Sequence, residues 1–117
     1  MQNLLSITDL DAAVARSHER RIVIVKHSVS CGTSAMAMEE VEDFEAGPSA
    51  LEVFVVSVQL APRVSAEIGT RFGIRHETPQ ALILDRGAVV WHGSHFRVSH
   101  QHLAAAIEKA FPVTSKP

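Results

Sequence analysis

Ile22-Val23-Ile24-Val25-Lys26-His27-Ser28-Val29-Ser30-Cys31-Gly32-Thr33-Ser34 is the stretch whose reading decides the fold. The run Ile22 to Val25 is continuously apolar and β-branched, which suits a strand covered on both faces. Polar residues follow, then the only cysteine of the chain, then a segment with helical periodicity. A cysteine at such a strand-to-helix turn meets the unpaired N–H groups and the positive dipole end of a helix N-terminus. Both favour the thiolate, which is the nucleophilic form. Lys26 and His27 add positive charge nearby. Ser34 stands where a Cys-x-x-Cys dithiol motif carries its second sulfur. The motif therefore reads Cys-x-x-Ser, an attacking thiol with no resolving partner in the motif. The competing reading is a structural cysteine packed in the core as a small hydrophobe.

Upstream, Thr8 or Asp9 is a cap for a first helix over residues 9 to 18, with Leu10, Ala13 and Val14 on one face. Downstream of Cys31 the spacing predicts a helix over about 32 to 45, with Ala37, Met38, Val41 and Phe44 inward. Glu39, Glu40, Glu42 and Asp43 then form a solvated acidic face. Gly47-Pro48-Ser49 ends that helix, and Leu51 to Val58 is a second strand. Ala61-Pro62 opens a third helix carrying Val64, Ile68 and Phe72, closed by Gly73. Gln80 to Leu84 and Ala88 to Trp91 are two further strands, joined by the hairpin signal Asp85-Arg86-Gly87. Ser99 caps a last helix with Leu103, Ala106, Ile107, Ala110 and Phe111 on its apolar stripe, and Pro112 stops it. Strands joined through a helix should be parallel with a right-handed crossover. The expectation is an α/β fold: a four-stranded mixed sheet with helices on both faces, to which Asn3 to Ile7 can add a short edge strand.

With 117 residues, 46% of them apolar, the expectation is a single domain over 1–117 with a core that needs no disulfide. A lone cysteine forms no internal disulfide, which fits a reducing compartment. The net charge of −2 gives no footprint for nucleic acid. No apolar run reaches membrane-spanning length, and the start lacks a secretory pattern. A cytoplasmic protein with neither membrane nor nucleic-acid partners is expected.

The element order, with Cys31 after the first main strand and Pro79 before the hairpin, resembles the thioredoxin fold. Phe72-Gly73-Ile74-Arg75, then Thr78-Pro79 and Leu82-Ile83-Leu84, is similar to the thioredoxin cis-proline segment. A narrower resemblance is to the monothiol bacilliredoxins, the YtxJ-like thioredoxin family. Lys26-His27-Ser28 with Cys31 and Ser34 is similar to its Lys-His-Ser-x-x-Cys-x-x-Ser pattern. His76-Glu77-Thr78-Pro79-Gln80-Ala81 and Trp91-His92-Gly93-Ser94-His95-Phe96 are similar to two further family segments, in the same order. The likeness runs from about Ile7 to Phe111. One departure is Gly32, where that family usually carries proline. Cys31-Gly32-Thr33-Ser34 there resembles monothiol glutaredoxins, which bridge iron–sulfur clusters with glutathione, but their other motifs are absent from this sequence.

The resemblance implies that Cys31 removes a low-molecular-weight thiol, bacillithiol or glutathione, from S-thiolated proteins, with no bound cofactor. Such exchange depends on the thiolate fraction, its nucleophilicity and access. A disulfide reductase is a further implied partner. Lys26, His27, Ser28 and Ser34 are the implied supports of the thiol. Gly32, Thr33, His76, Thr78 and Pro79 are the implied substrate-binding residues. His92 and His95 form a His-x-x-His pair that, alone, lacks a complete zinc ligand set; hydrogen bonds organising the turn between Trp91 and Ser99 are the expected role. The rival readings are a non-catalytic thioredoxin-like adaptor and a glutaredoxin-like iron–sulfur protein.

Overall fold

Alternate residues of Ile22–His27 point to opposite sides of a sheet and are buried on both. This strand, β2, is therefore the axis of the molecule. The structure is a computed structural model that describes residues 1–30, 32–48 and 50–110. Cys31, Ser49 and the expected end of the last helix at Phe111 and Pro112 lie outside the described residues.

Around β2 stand β1 (Gln2–Asn3), α1 (Ile7–Arg16), α2 (Gly32–Ala46), β3 (Glu52–Ser57), α3 (Pro62–Phe72), β4 (Gln80–Asp85), β5 (Ala88–Ser94), a 3-10 turn (His95–Arg97) and α4 (His100–Ala110). The sheet order is β1-β3-β2-β4-β5. β3 runs parallel to β2, while β4 is antiparallel to β2 and to β5. The mixed sheet thus has five strands rather than four. The fifth is the edge pair Gln2↔Phe54 and Asn3↔Val55, extended by Leu4 N donating to Val55 O at 2.8 Å. Two residues are too few to leave a periodicity in the sequence.

α1 starts at Ile7 and ends at Arg16, shifted from the expected 9 to 18. Its cap is Ser6, whose Oγ accepts from Asp9 N at 3.1 Å, while Asp9 Oδ2 accepts from Leu5 N at 2.9 Å. Asp9 reaches back to the N–H of Leu5, the residue before the cap, rather than serving as the cap itself. β2 continues through Lys26 and His27, beyond the apolar run, because both residues keep ladder partners in β3. In the hairpin, Arg86 and Gly87 both have positive φ, 54° and 79°, the geometry that two-residue turns require.

Two cores flank the sheet. Ile22, Ile24, Phe54, Val56, Leu82 and Leu84 meet α1 and α3 through Leu10, Ala13, Val64 and Ile68. Val23, Val25, Val53, Val55, Ala81 and Ile83 meet α2 and α4 through Ala37, Val41, Phe44 and Leu103. Burying a side chain of this size contributes about 1.5–3 kcal/mol. Both cores hold the C-terminal end of β2 fixed, and from there the Cys31 loop departs.

Candidate functional site

The loop between β2 and α2 is tied down from two directions. Ser28 N donates to Ser34 Oγ at 3.1 Å, joining the start of the loop to the first turn of α2. Gln59, in the turn after β3, clamps it from the side. Its Nε2 donates to Ser28 Oγ at 2.7 Å, and its Oε1 accepts from Val29 N at 3.1 Å. The hydroxyls of Ser28 and Ser30 are 3.0 Å apart. Ser34 is buried, and its oxygen serves as an acceptor for the loop. Gly32 opens α2, and a Cβ there would meet nothing within 4 Å, so packing does not demand glycine.

The Thr78–Pro79 bond is cis. Lys26 and Gln80 are register partners, so Pro79 sits beside the end of β2 that leads to Cys31. Pro79 O accepts from His95 N at 2.8 Å. The Glu77 carboxylate meets His95 Nε2 at 3.4 Å. A hydrogen bond from Ser94 is the main reason that the Glu77 carboxyl is held below its usual range, with His95 adding to it. His95 has φ 57°, a left-handed conformation uncommon outside glycine. Its two contacts with the proline segment hold it there. Gly93 makes the same corner possible, because a Cβ on it would lie 2.7 Å from the Trp91 ring.

Beneath this surface lies Lys26, with none of its side chain accessible. Its Nζ donates to Ser65 O at 3.5 Å, and among the described residues no carboxylate pairs with it. Burial pulls its pKa down from 10.5 to about 8. The ammonium therefore remains the main form at neutral pH. His27, half-buried on the other face of β2, is pushed down by desolvation, so it is neutral there and brings no cation to the site. His76 is also pushed down, first by desolvation and then by the charge of Lys26. Its Nδ1 is 3.5 Å from Ser65 Oγ.

Lys26, His27, Ser28, Ser34, Gly32, Thr33, His76, Thr78 and Pro79 thus gather at one end of the sheet; Cys31 itself lies outside the described residues. Thr33 also lines a groove of about 310 Å³ with Met36, Glu40, Phe96, Gln101 and His102. Three features of the site were invisible as such in the sequence: Gln59, Ser65 and the pairing of Glu77 with His95. Each acts across a turn or between elements, and no local spacing announces it. Among the described residues no three His, Cys, Asp or Glu side chains gather to hold a metal ion, and His95 of the His-x-x-His pair turns to Glu77.

Comparison with known proteins fits this geometry. A solved chain described as a candidate oxidoreductase with a thioredoxin fold superposes with a TM-score of 0.82 and 26% identity, covering 90% of this chain and 91% of that one. The thioredoxin of Fasciola hepatica gives 0.76 at 18% identity over 94% and 99% of the two chains. That of Malassezia sympodialis gives 0.72 at 20% over 94% and 90%. The last two speak for the thioredoxin fold alone. The model of the monothiol bacilliredoxin family BrxC matches residues 2–103, and over that span, which includes every site residue named above, the chain belongs to the monothiol bacilliredoxin family.

Proposed function

We propose that this chain is a monothiol exchange enzyme that takes a low-molecular-weight thiol off modified proteins through Cys31. The observation that carries the reading is the adjacency of the cis Thr78–Pro79 segment to the end of β2 that feeds the Cys31 loop, within a family of monothiol redox proteins. The Cys31 thiolate attacks the small-thiol sulfur of a mixed disulfide. A Cys31–small-thiol disulfide forms, the original S–S bond breaks, and the protein leaves as a thiolate that takes a proton from water. A second small thiolate then attacks the disulfide on Cys31. It releases the Cys31 thiolate and a symmetrical small-thiol disulfide, which a disulfide reductase returns to thiol. Electrons balance without a bound cofactor. Thr78 presents main-chain groups to the bound disulfide, Pro79 shapes the groove, and the Ser34 hydroxyl donates toward the sulfur. Gly32 and Thr33 lie at the helix start, and His76 borders the entry.

Bacillithiol is the small thiol of first choice and glutathione the second. The test is mass spectrometry of the protein mixed with a bacillithiol-modified substrate, for the native chain and Cys31→Ser. The expected result is transfer of the small-thiol mass to Cys31 with release of reduced substrate, and none in the variant. A repeat with glutathione-modified substrate ranks the two thiols. No transfer from either would overturn the reading.

A further inference from the structure

A second cavity lies between the edge strand β5 and α4, and none of the residues assigned to thiol exchange lines it. Its volume of about 500 Å³ is in the range of small-ligand sites. An irregularity in β5 builds its wall. Ile83 pairs with Trp91 and Leu84 with Val89, so Val90 is an extra residue, a bulge in the strand. In a regular pleat Val89 and Trp91 would share a face. Instead Val89 packs on the α1 and α3 side of the sheet and Trp91 on the α2 and α4 side. The bulge thus carries the indole across to α4 and lets Val90, 42% exposed, line the same cavity as its neighbour. Ala105 and Ala106 of α4 complete the apolar wall, and their small side chains leave the space open.

The charged groups on this wall have one sign. Arg97, His102 and Lys109 are exposed and line the cavity, and no Asp or Glu lines it among the described residues. Arg97 and Lys109 have no ion pair among those residues either. His102 Nδ1 is engaged with Ser99 Oγ at 2.7 Å. The cavity at the hairpin end differs: there Arg20, Arg21 and Arg86 share the lining with Glu19, Glu52 and Asp85. Unmatched cations on an aromatic wall also run against the net charge of −2 of the chain.

We propose that this cavity binds a planar aromatic phosphate, with its ring against Trp91 and its phosphate on Arg97 and Lys109. Stacked rings gain beyond the area they bury. A guanidinium fork takes two phosphate oxygens, and an ammonium adds a point charge. Two cations without a carboxylate match the charge of a phosphate monoester better than that of a single carboxylate. The site does not call on Cys31, so it stands or falls apart from the exchange reaction.

Trp91 is the only tryptophan of the chain, so its emission reports on this cavity alone. The probe is adenosine 5′-phosphate, titrated while Trp91 fluorescence is followed, with adenosine and inorganic phosphate as comparisons. The expected result is saturable quenching by adenosine 5′-phosphate. Adenosine should bind at least tenfold more weakly, and inorganic phosphate should leave the emission nearly unchanged. In Arg97→Gln/Lys109→Gln, two exposed positions, the affinity for adenosine 5′-phosphate should fall at least tenfold with the far-UV circular dichroism unchanged. If that variant does not fold, the comparison of adenosine 5′-phosphate with adenosine in the native chain decides. Quenching that never saturates, or that is equal for the two nucleosides or for native and folded variant, overturns the proposal. Saturable binding of hexaglutamate without binding of adenosine 5′-phosphate also overturns it, and assigns the cavity to an acidic protein segment.

Discussion

The two ends of the sheet are built on opposite policies. At the end where β4 turns into β5, polar and charged groups are paired across elements. Ser17 caps the hairpin: its Oγ accepts from Gly87 N and its carbonyl from Arg86 N, both at 2.8 Å. Arg16 pairs with Glu52 at 2.9 Å, and Arg21 lies 3.8 Å from Asp85. At the other end stand a buried cation and a Gln80 amide oxygen that find neither a carboxylate nor a donor, respectively, among the described residues, and a histidine at positive φ. The same strands run through both ends, so strand propensity does not explain the contrast. The difference teaches that the costly arrangements among the described residues, a buried ammonium, a bare amide oxygen and a left-handed histidine, lie beside the proline segment, and the paired end provides stability that tolerates them.

The sharpest way to break this comparison is to remove the cation. Between pKa values of about 8 folded and 10.5 unfolded, at about 1.4 kcal/mol per unit, Lys26 costs the native state roughly 3 kcal/mol at neutral pH. The sign follows from proton counting. Below pH 8 both states are protonated and the whole cost is present. From 8 to 10.5 the unfolded state binds more protons, so native stability rises with pH and the cost disappears. Lys26→Met should therefore be more stable than the native chain by about 1–3 kcal/mol at pH 7, with the gap closing by about pH 10.5. Urea unfolding of both proteins at several pH values measures it. A destabilised Lys26→Met at pH 7 would mean that the cation is well accommodated, and the contrast between the two ends would fall.

Next in size is the converse experiment at the paired end. Ser17→Ala leaves Gly87 N without its acceptor in a half-buried turn, at an expected cost of about 1–3 kcal/mol. Urea unfolding reads the loss, while Cys31 alkylation at fixed pH should not change. A change in alkylation would show that the two ends are coupled through the sheet.

Much of this contrast was legible beforehand, and the reason is physical. The apolar run Ile22 to Val25, the Asp85-Arg86-Gly87 turn, the Pro62 start and the Gly73 end of α3 are local signals, and each element formed where its signal stood. The position of Lys26, Thr78 and Pro79 at one end was carried by family resemblance rather than by spacing. Ser6 as the α1 cap was missed because Thr8 and Asp9 offered the same chemistry two and three residues later. The burial of Lys26 was unreadable. A lysine after four apolar residues reads as the end of a strand reaching solvent, but β3 and β4 flank it and α3 meets its ammonium through Ser65 O, so it is internal.

The smallest expected effect lies with the ion pair that looks most secure. Arg16 Nε meets Glu52 Oε1 at 2.9 Å, and hydrogen bonding to Glu52 is the chief reason that the guanidinium is held above its usual range. Yet the Arg16 side chain is 40% exposed and that of Glu52 23%, so water screens the attraction and fixing the long side chain offsets part of it. A double-mutant cycle of Arg16→Gln and Glu52→Gln should give a coupling well below the Ser17→Ala loss. The coupling should vanish in about 1 M salt, where the screening length falls to about 3 Å. The Lys26→Met difference should survive the same salt, because its charge is out of reach of mobile ions. Salt thus separates the two ends: a Lys26 effect that faded along with the Arg16 coupling would place the lysine in contact with solvent and remove the distinction between them.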